Sequence, residues 1–265
     1  MTRQTVAERV QAGRESGQGT VIGYLPMGFP DLGTSVEAAV ALAEEGFDVL
    51  ELGVPYSDPV MDGPVISRAT QRALEGGFKL KDLFPALAEI TRRVDIPVLV
   101  MTYWNPVVQY GLERFISDLR DAGGAGLITP DLIPDEAADW LGVSDKLGVE
   151  RVFLAAPSSS DERLQRAVEV SRGFVYAVST MGITGAREDV DQAAKTLVGR
   201  LRDAGAESVC VGLGISTGDQ VRDVLSYADG AIIGSALVRA LDDGGLEQLR
   251  DVARGLTRPT ELHAR

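Results

Sequence analysis

The segment Val49-Leu50-Glu51-Leu52-Gly53-Val54 is apolar along its length except for one carboxylate and one glycine. A strand with one wet face alternates apolar and polar residues, whereas a strand covered on both faces stays apolar throughout. This segment therefore reads as a strand buried on both sides. Seven similar runs accompany it, at residues 20–25, 97–102, 126–129, 151–155, 174–178, 208–212 and 230–233. Helical patterns lie between or after them, at 35–45, 81–94, 112–122, 135–147, 161–171, 189–204, 218–227 and 246–256. Eight strands alternating with helices specify a closed (β/α)8 TIM barrel better than an open doubly wound sheet.

Working outward from that strand, two features decorate the barrel. The amino-terminal segment is polar and reads as a short extra helix, with Val6 and Val10 on one side. The connection at 56–77 is long for a βα loop and carries Pro59, Gly63 and Pro64. Such loops build the functional face of a barrel, so a long one points to function. No linker rich in Pro, Gly or Ser divides the chain, and residues 1–265 are expected to form one domain.

Composition narrows the chemistry. Of 265 residues, 45% are hydrophobic and 25% charged, enough apolar surface for a large core. No apolar stretch approaches the roughly 20 residues of a membrane span, and the amino terminus lacks an apolar signal core. The expected location is the cytoplasm. A net charge of −13 disfavours nucleic acid, whose phosphates demand a basic patch. A small phosphorylated ligand remains compatible, because helix N-termini bind phosphate through backbone amides. The lone Cys210 lies in an apolar run, and the lone His263 is the third residue from the end. A His-based triad, a Cys nucleophile and a His-ligated metal therefore lack their residues, and proton transfer falls to carboxylates, Lys or Tyr.

Glu51 is the first such carboxylate. A charge inside a buried strand is costly unless it is paired or at work, and burial raises its pKa toward neutrality. Two readings stand: a proton-transfer group at the barrel mouth, or a structural glutamate bonded to a neighbouring strand. Asp62 follows in Ser57-Asp58-Pro59-Val60-Met61-Asp62-Gly63-Pro64. By itself it reads as a turn residue, as does Asp58. Together Glu51 and Asp62 offer two carboxylates over one barrel mouth.

Glycine-bearing turns follow the last strands: Gly182 to Arg187, Gly212-Leu213-Gly214, and Gly234-Ser235. Phosphate-binding barrels use the loops after strands seven and eight together with a helix N-terminus. The 182–187 segment has the glycines of a movable lid.

At this point a family resemblance carries further than spacing. Glu51-Leu52-Gly53-Val54-Pro55-Tyr56-Ser57-Asp58-Pro59, with Asp62-Gly63-Pro64, closely resembles the signature of tryptophan synthase α-subunits. Tyr24-Leu25-Pro26-Met27-Gly28-Phe29-Pro30-Asp31 and the later glycine turns are similar to the same family. The resemblance implies retro-aldol cleavage of indole-3-glycerol phosphate to indole and glyceraldehyde 3-phosphate, without a cofactor in this subunit. It makes Glu51 the acid–base carboxylate and Asp62 the partner of the indole N–H. It sets Tyr176 near the glycerol chain and Thr184 in the lid. Gly185, Gly214, Gly234 and Ser235 would hold the phosphate. Tyr24, Met101, Leu127 and Leu213 would line the indole slot. Leu213 and Tyr24 depart from the phenylalanine common at both positions.

The resemblance also implies a pyridoxal-phosphate β-subunit as partner in an αββα complex, contacting residues 58–62 and 129–134. A free-standing indole-glycerol-phosphate lyase would share every one of these residues. Another phosphate-binding barrel, such as a metal-dependent epimerase or decarboxylase, is disfavoured by the lack of catalytic His and metal ligands, and a non-catalytic allosteric barrel would not need both Glu51 and Asp62.

Overall fold

The computed structural model describes residues 4–178, 187–212 and 214–257. The apolar runs become parallel strands: β1 (Thr20–Pro26), β2 (Val49–Gly53), β3 (Val98–Met101), β4 (Gly126–Ile128), β5 (Glu150–Val152), β6 (Leu154–Ala155), β7 (Val175–Val178), β8 (Val209–Gly212) and β9 (Gly230–Ile233). Their hydrogen-bonded order is β5-β4-β3-β2-β1-β9-β8-β7-β6. The two ends of that order are consecutive pieces of chain separated only by Phe153. The fifth expected strand is thus broken at its middle, its lower half paired to β4 and its upper half to β7. With β1 joined to both β2 and β9, the sheet closes into a β/α barrel.

Alternation along the strands makes two cores. Ile22, Val49, Leu99, Ile128, Val152, Phe174, Cys210 and Ile232 fill the barrel interior, one from each repeat. The larger core lies between strands and helices and takes Leu25, Leu50, Leu52, Val100, Leu127 and Val211. Both faces of every strand are therefore dry, which is why the runs show no polar alternation.

The amino-terminal helix α1 (Val6–Glu15) closes the bottom of the barrel, with Val6 and Val10 fully buried in the inner core. Its start is fixed twice. Thr5 and Glu8 form a capping box, with bonds of 3.2 and 2.8 Å. The Glu150 carboxylate then accepts the backbone N–H groups of Val6 at 2.7 Å and Ala7 at 2.9 Å. These are amides that a helix cannot satisfy internally.

Helix α2 (Leu32–Glu44) packs Val36, Ala39, Val40 and Leu42 against the sheet. Two helices fall where none was expected. The connection after β2 holds α3 (Pro64–Glu75), so its irregular part is only 54–63. Gly63 provides the extended residue before the helix and Pro64 the first helical position, an arrangement that suits proline's fixed φ and missing N–H. The second is Trp104–Tyr110, a seven-residue helix that buries Val107. Among the described residues no helix is long and apolar enough to cross a membrane.

Candidate active site

Because the strands are parallel, their carboxyl ends share one face, and the βα connections surround a mouth there. A cavity of about 340 Å³ occupies it. Tyr24, Asp62, Met101, Tyr176, Gly214, Gly234 and Ser235 line it, so the barrel gathers seven of the expected site residues from six repeats. Gly63 and Gly212 also line it, and Met61, Ile66, Pro130, Leu154, Val178 and Ile232, which were not anticipated, complete the wall. Leu127 does not reach the cavity. Interior positions on β4 are Gly126 and Ile128, so Leu127 points the other way, fully buried against the helix layer. Thr184, Gly185 and Leu213, like His263, lie outside the described residues.

Glu51 lies below this cavity on the interior face of β2, with no solvent exposure. Among the described residues, neither carboxylate oxygen has a hydrogen-bond partner. The structural alternative, a glutamate bonded to a neighbouring strand, is not what the fold contains. Desolvation lifts its pKa from 4.5 to about 8, so the carboxyl holds its proton at neutral pH.

Asp62 stands on the cavity wall at the end of the irregular connection. Burial raises its pKa to about 6, against the opposing effect of a hydrogen bond from Tyr103. The Tyr103 hydroxyl donates to Asp62 Oδ1 at 3.3 Å and accepts the backbone N–H of Met61 at 2.9 Å. Tyr103 thus ties the loop that carries Asp62 to the end of β3. The sequence offered one signal for it, an aromatic residue immediately beyond an apolar strand. The same loop pair is braced by Tyr56 stacked 5.3 Å from Tyr103 and by Asn105 bonded to the Tyr56 hydroxyl at 3.1 Å.

Two tyrosines share the interior with Glu51. Tyr24 is in register with Glu51 across β1 and β2, and Tyr176 rises from β7. Each has an inward glycine beside its hydroxyl. A β-carbon on Gly53 would fall 2.1 Å from Tyr24 Oη, and one on Gly212 would fall 2.7 Å from Tyr176 Oη.

Across the cavity, Gly214 has a positive φ of 66°, a conformation glycine adopts freely. Gln220 Oε1 accepts the N–H of Ser216 at 2.6 Å and holds the following turn. A helix begins at Ser235, and the Gly234 carbonyl accepts from Val238 N at 3.0 Å. The amides at such a helix start attract anions. No Lys or Arg is among the described residues lining the cavity.

A buried acid beneath the mouth of a parallel β/α barrel, with a second carboxylate on the wall and a helix N-terminus opposite, defines a β/α barrel with a candidate acid–base site. A family model described as tryptophan synthase alpha chain matches residues 10–264. The chain belongs to that family. The tryptophan synthase alpha chain of Leifsonia xyli subsp. xyli is 66% identical over 253 residues, covering 96% of this chain and 97% of that protein. The alpha chain of Mycobacterium intracellulare is 55% identical, covering 92% of this chain and 89% of its own length. A crystal structure of M. tuberculosis tryptophan synthase in its aminoacrylate-bound form superposes with a TM-score of 0.88 at 48% identity, covering 95% of this chain and 97% of that one.

Proposed function

We propose that this chain is a cytoplasmic lyase that catalyses the α reaction of tryptophan synthase, cleaving indole-3-glycerol phosphate to indole and glyceraldehyde 3-phosphate. The observation that carries the reading is Glu51: a dry, unpartnered carboxyl, protonated at neutral pH, under a cavity that holds Asp62. Glu51 delivers its proton to C3 of the indole ring, which turns the ring into an electron sink. The bond from C3 to the glycerol carbon then breaks as the hydroxyl on that carbon loses its proton, and the electron pair returns to the ring. Glu51 recovers a proton from that hydroxyl, so the cycle is balanced. Asp62, ionised above about pH 6, accepts the indole N–H and offsets the positive charge that develops on the ring.

Tyr24 and Met101 flank the ring, and Tyr176 lies beside the glycerol chain. Gly214, Gly234 and Ser235 present amides and a hydroxyl to the phosphate. Thr184 and Gly185 take the roles of lid and phosphate contact on the resemblance alone.

The partner is a β-subunit carrying pyridoxal phosphate, joined in an αββα complex that receives the indole. Support comes from apolar side chains exposed on the connections after β2, β3 and β4: Val60 is 76%, Val108 52% and Ile133 42% exposed. They belong to one braced unit, since Trp104 N donates to Asp131 Oδ1 at 2.9 Å while Tyr103 holds Met61.

The test is cleavage of indole-3-glycerol phosphate by the purified chain, with and without a cognate β-subunit. Weak turnover that rises strongly with the partner supports the reading. High turnover that ignores the partner identifies a free-standing lyase. No turnover in either condition rejects the substrate.

A further inference from the structure

Tyr24 does more than form a wall of the cavity. Its Cα stands opposite that of Glu51, and its ring spans the interior from Gly234 to Gly53. A β-carbon on Gly234 would lie 3.3 Å from Tyr24 Cδ1, and one on Gly53 would lie 2.1 Å from Tyr24 Oη. The hydroxyl is therefore lodged against β2, two residues beyond Glu51, in the cavity that Asp62 also lines.

The titratable groups around the two carboxylates divide by element. Glu51 acts on Tyr24 from β1, Tyr176 from β7 and Cys210 from β8. Asp62 acts on Tyr24 and on Tyr103, which follows β3. Of the three tyrosines only Tyr24 lies in the field of both carboxylates. A phenol offers one donor and at least one acceptor site. Either singly protonated pattern of the two carboxyls uses both, and the deeper burial of Glu51 makes it the one that holds the proton.

We propose that Tyr24 is a positioning residue that couples the two carboxylates, its oxygen accepting from the protonated Glu51 while its O–H donates to ionised Asp62. The orphaned Glu51 carboxyl gains its partner when it turns toward the mouth. The hydroxyl then favours the singly protonated pair that cleavage requires over the pair with both carboxyls protonated or both ionised. This inference rests on the function proposed above.

The decisive variant is Tyr24→Phe, which keeps the ring and removes only the oxygen. With the β-subunit present, kcat and KM for indole-3-glycerol phosphate are followed across the pH range. Loss of the donor raises the Asp62 pKa, and loss of the acceptor lowers that of Glu51. Both limbs of the profile therefore move inward by about one pH unit, and kcat at the optimum falls about tenfold with KM little changed. A role confined to packing leaves both limbs in place. In parallel, the Glu51 and Asp62 carboxyl carbons are titrated by 13C NMR in the complete chain, with Glu51→Gln and Asp62→Asn for assignment. Converging midpoints in Tyr24→Phe support the coupling. Superimposed profiles and midpoints overturn it. If the wild-type chain does not cleave the substrate, the proposed function fails, and the titration still decides the coupling.

Discussion

Gly53 and Tyr24 share one volume: a β-carbon on Gly53 would stand 2.1 Å from the Tyr24 hydroxyl, well inside contact distance. Gly53 is thus required by its neighbour, since interior positions on a barrel strand otherwise carry side chains. Gly53→Ala forces the ring toward the cavity or toward Gly234. We expect a loss of substrate affinity of at least about tenfold, with a stability cost of only about 1–3 kcal/mol from overpacking. Steady-state kinetics beside thermal unfolding checks it, and unchanged KM would show that the ring yields without narrowing the cavity.

The two carboxylates set the pH range of activity. Asp62 must be ionised and Glu51 protonated, which holds between about 6 and about 8. Turnover should be maximal near the middle of that window. It falls on the acid side as Asp62 gains a proton, and on the alkaline side as Glu51 loses the one it delivers. A kcat profile still rising above pH 9 would contradict this assignment.

Glu51→Gln separates catalysis from stability. Turnover should vanish with substrate binding retained. Because the folded pKa is raised, the unfolded chain ionises first, and burial of Glu51 costs stability progressively from about pH 4.5 to about pH 8. The variant should therefore be more stable than the parent at pH 8, by roughly 4 kcal/mol, and indistinguishable near pH 4. Denaturant midpoints at the two pH values measure the difference. An equal offset at both would mean that the gain has another source.

Tyr103→Phe removes the acceptor of the Met61 N–H and the donor to Asp62 together. The acid limb of the profile should move upward, because ionised Asp62 loses stabilisation, while the alkaline limb stays. KM should rise several-fold as the 54–63 connection loosens. An acid limb that stays near 6 would show that the 3.3 Å bond contributes little.

Glu150→Ala acts at the other end of the barrel, where it frees the amides of Val6 and Ala7. Loss of two helix-start bonds should cost about 1–3 kcal/mol, visible as a lower Tm. Kinetic constants well below Tm should be unchanged, since α1 is remote from the mouth. A drop in kcat without a drop in Tm would refute that separation.

The barrel was legible in the sequence because its evidence repeats eight times. Glu51 was legible because a charge in a dry strand has few explanations. What escaped has a physical reason in each case. The family resemblance sets Leu127 at the slot, and a strand apolar on both faces carries no mark to show that its inward residues are Gly126 and Ile128. The helix Trp104–Tyr110 is two turns long, contains Pro106 and buries little, leaving hardly any periodicity to detect. The contribution of Tyr103 arises from a contact across 41 positions of sequence, which no local pattern records.

The broken fifth strand gives the mouth an uneven stiffness. Pairing between β4 and β5 ends at Ile128 and Val152, and Pro130 and Leu154 lie two residues beyond it. Pro130 and Leu154 both line the cavity, and the barrier between them is made of side chains. Rungs part only when the sheet opens, whereas a leucine changes rotamer within nanoseconds where it is not tightly packed. On this flank the barrel is upholstered rather than walled: a bound ring can press outward without breaking the sheet that holds Glu51.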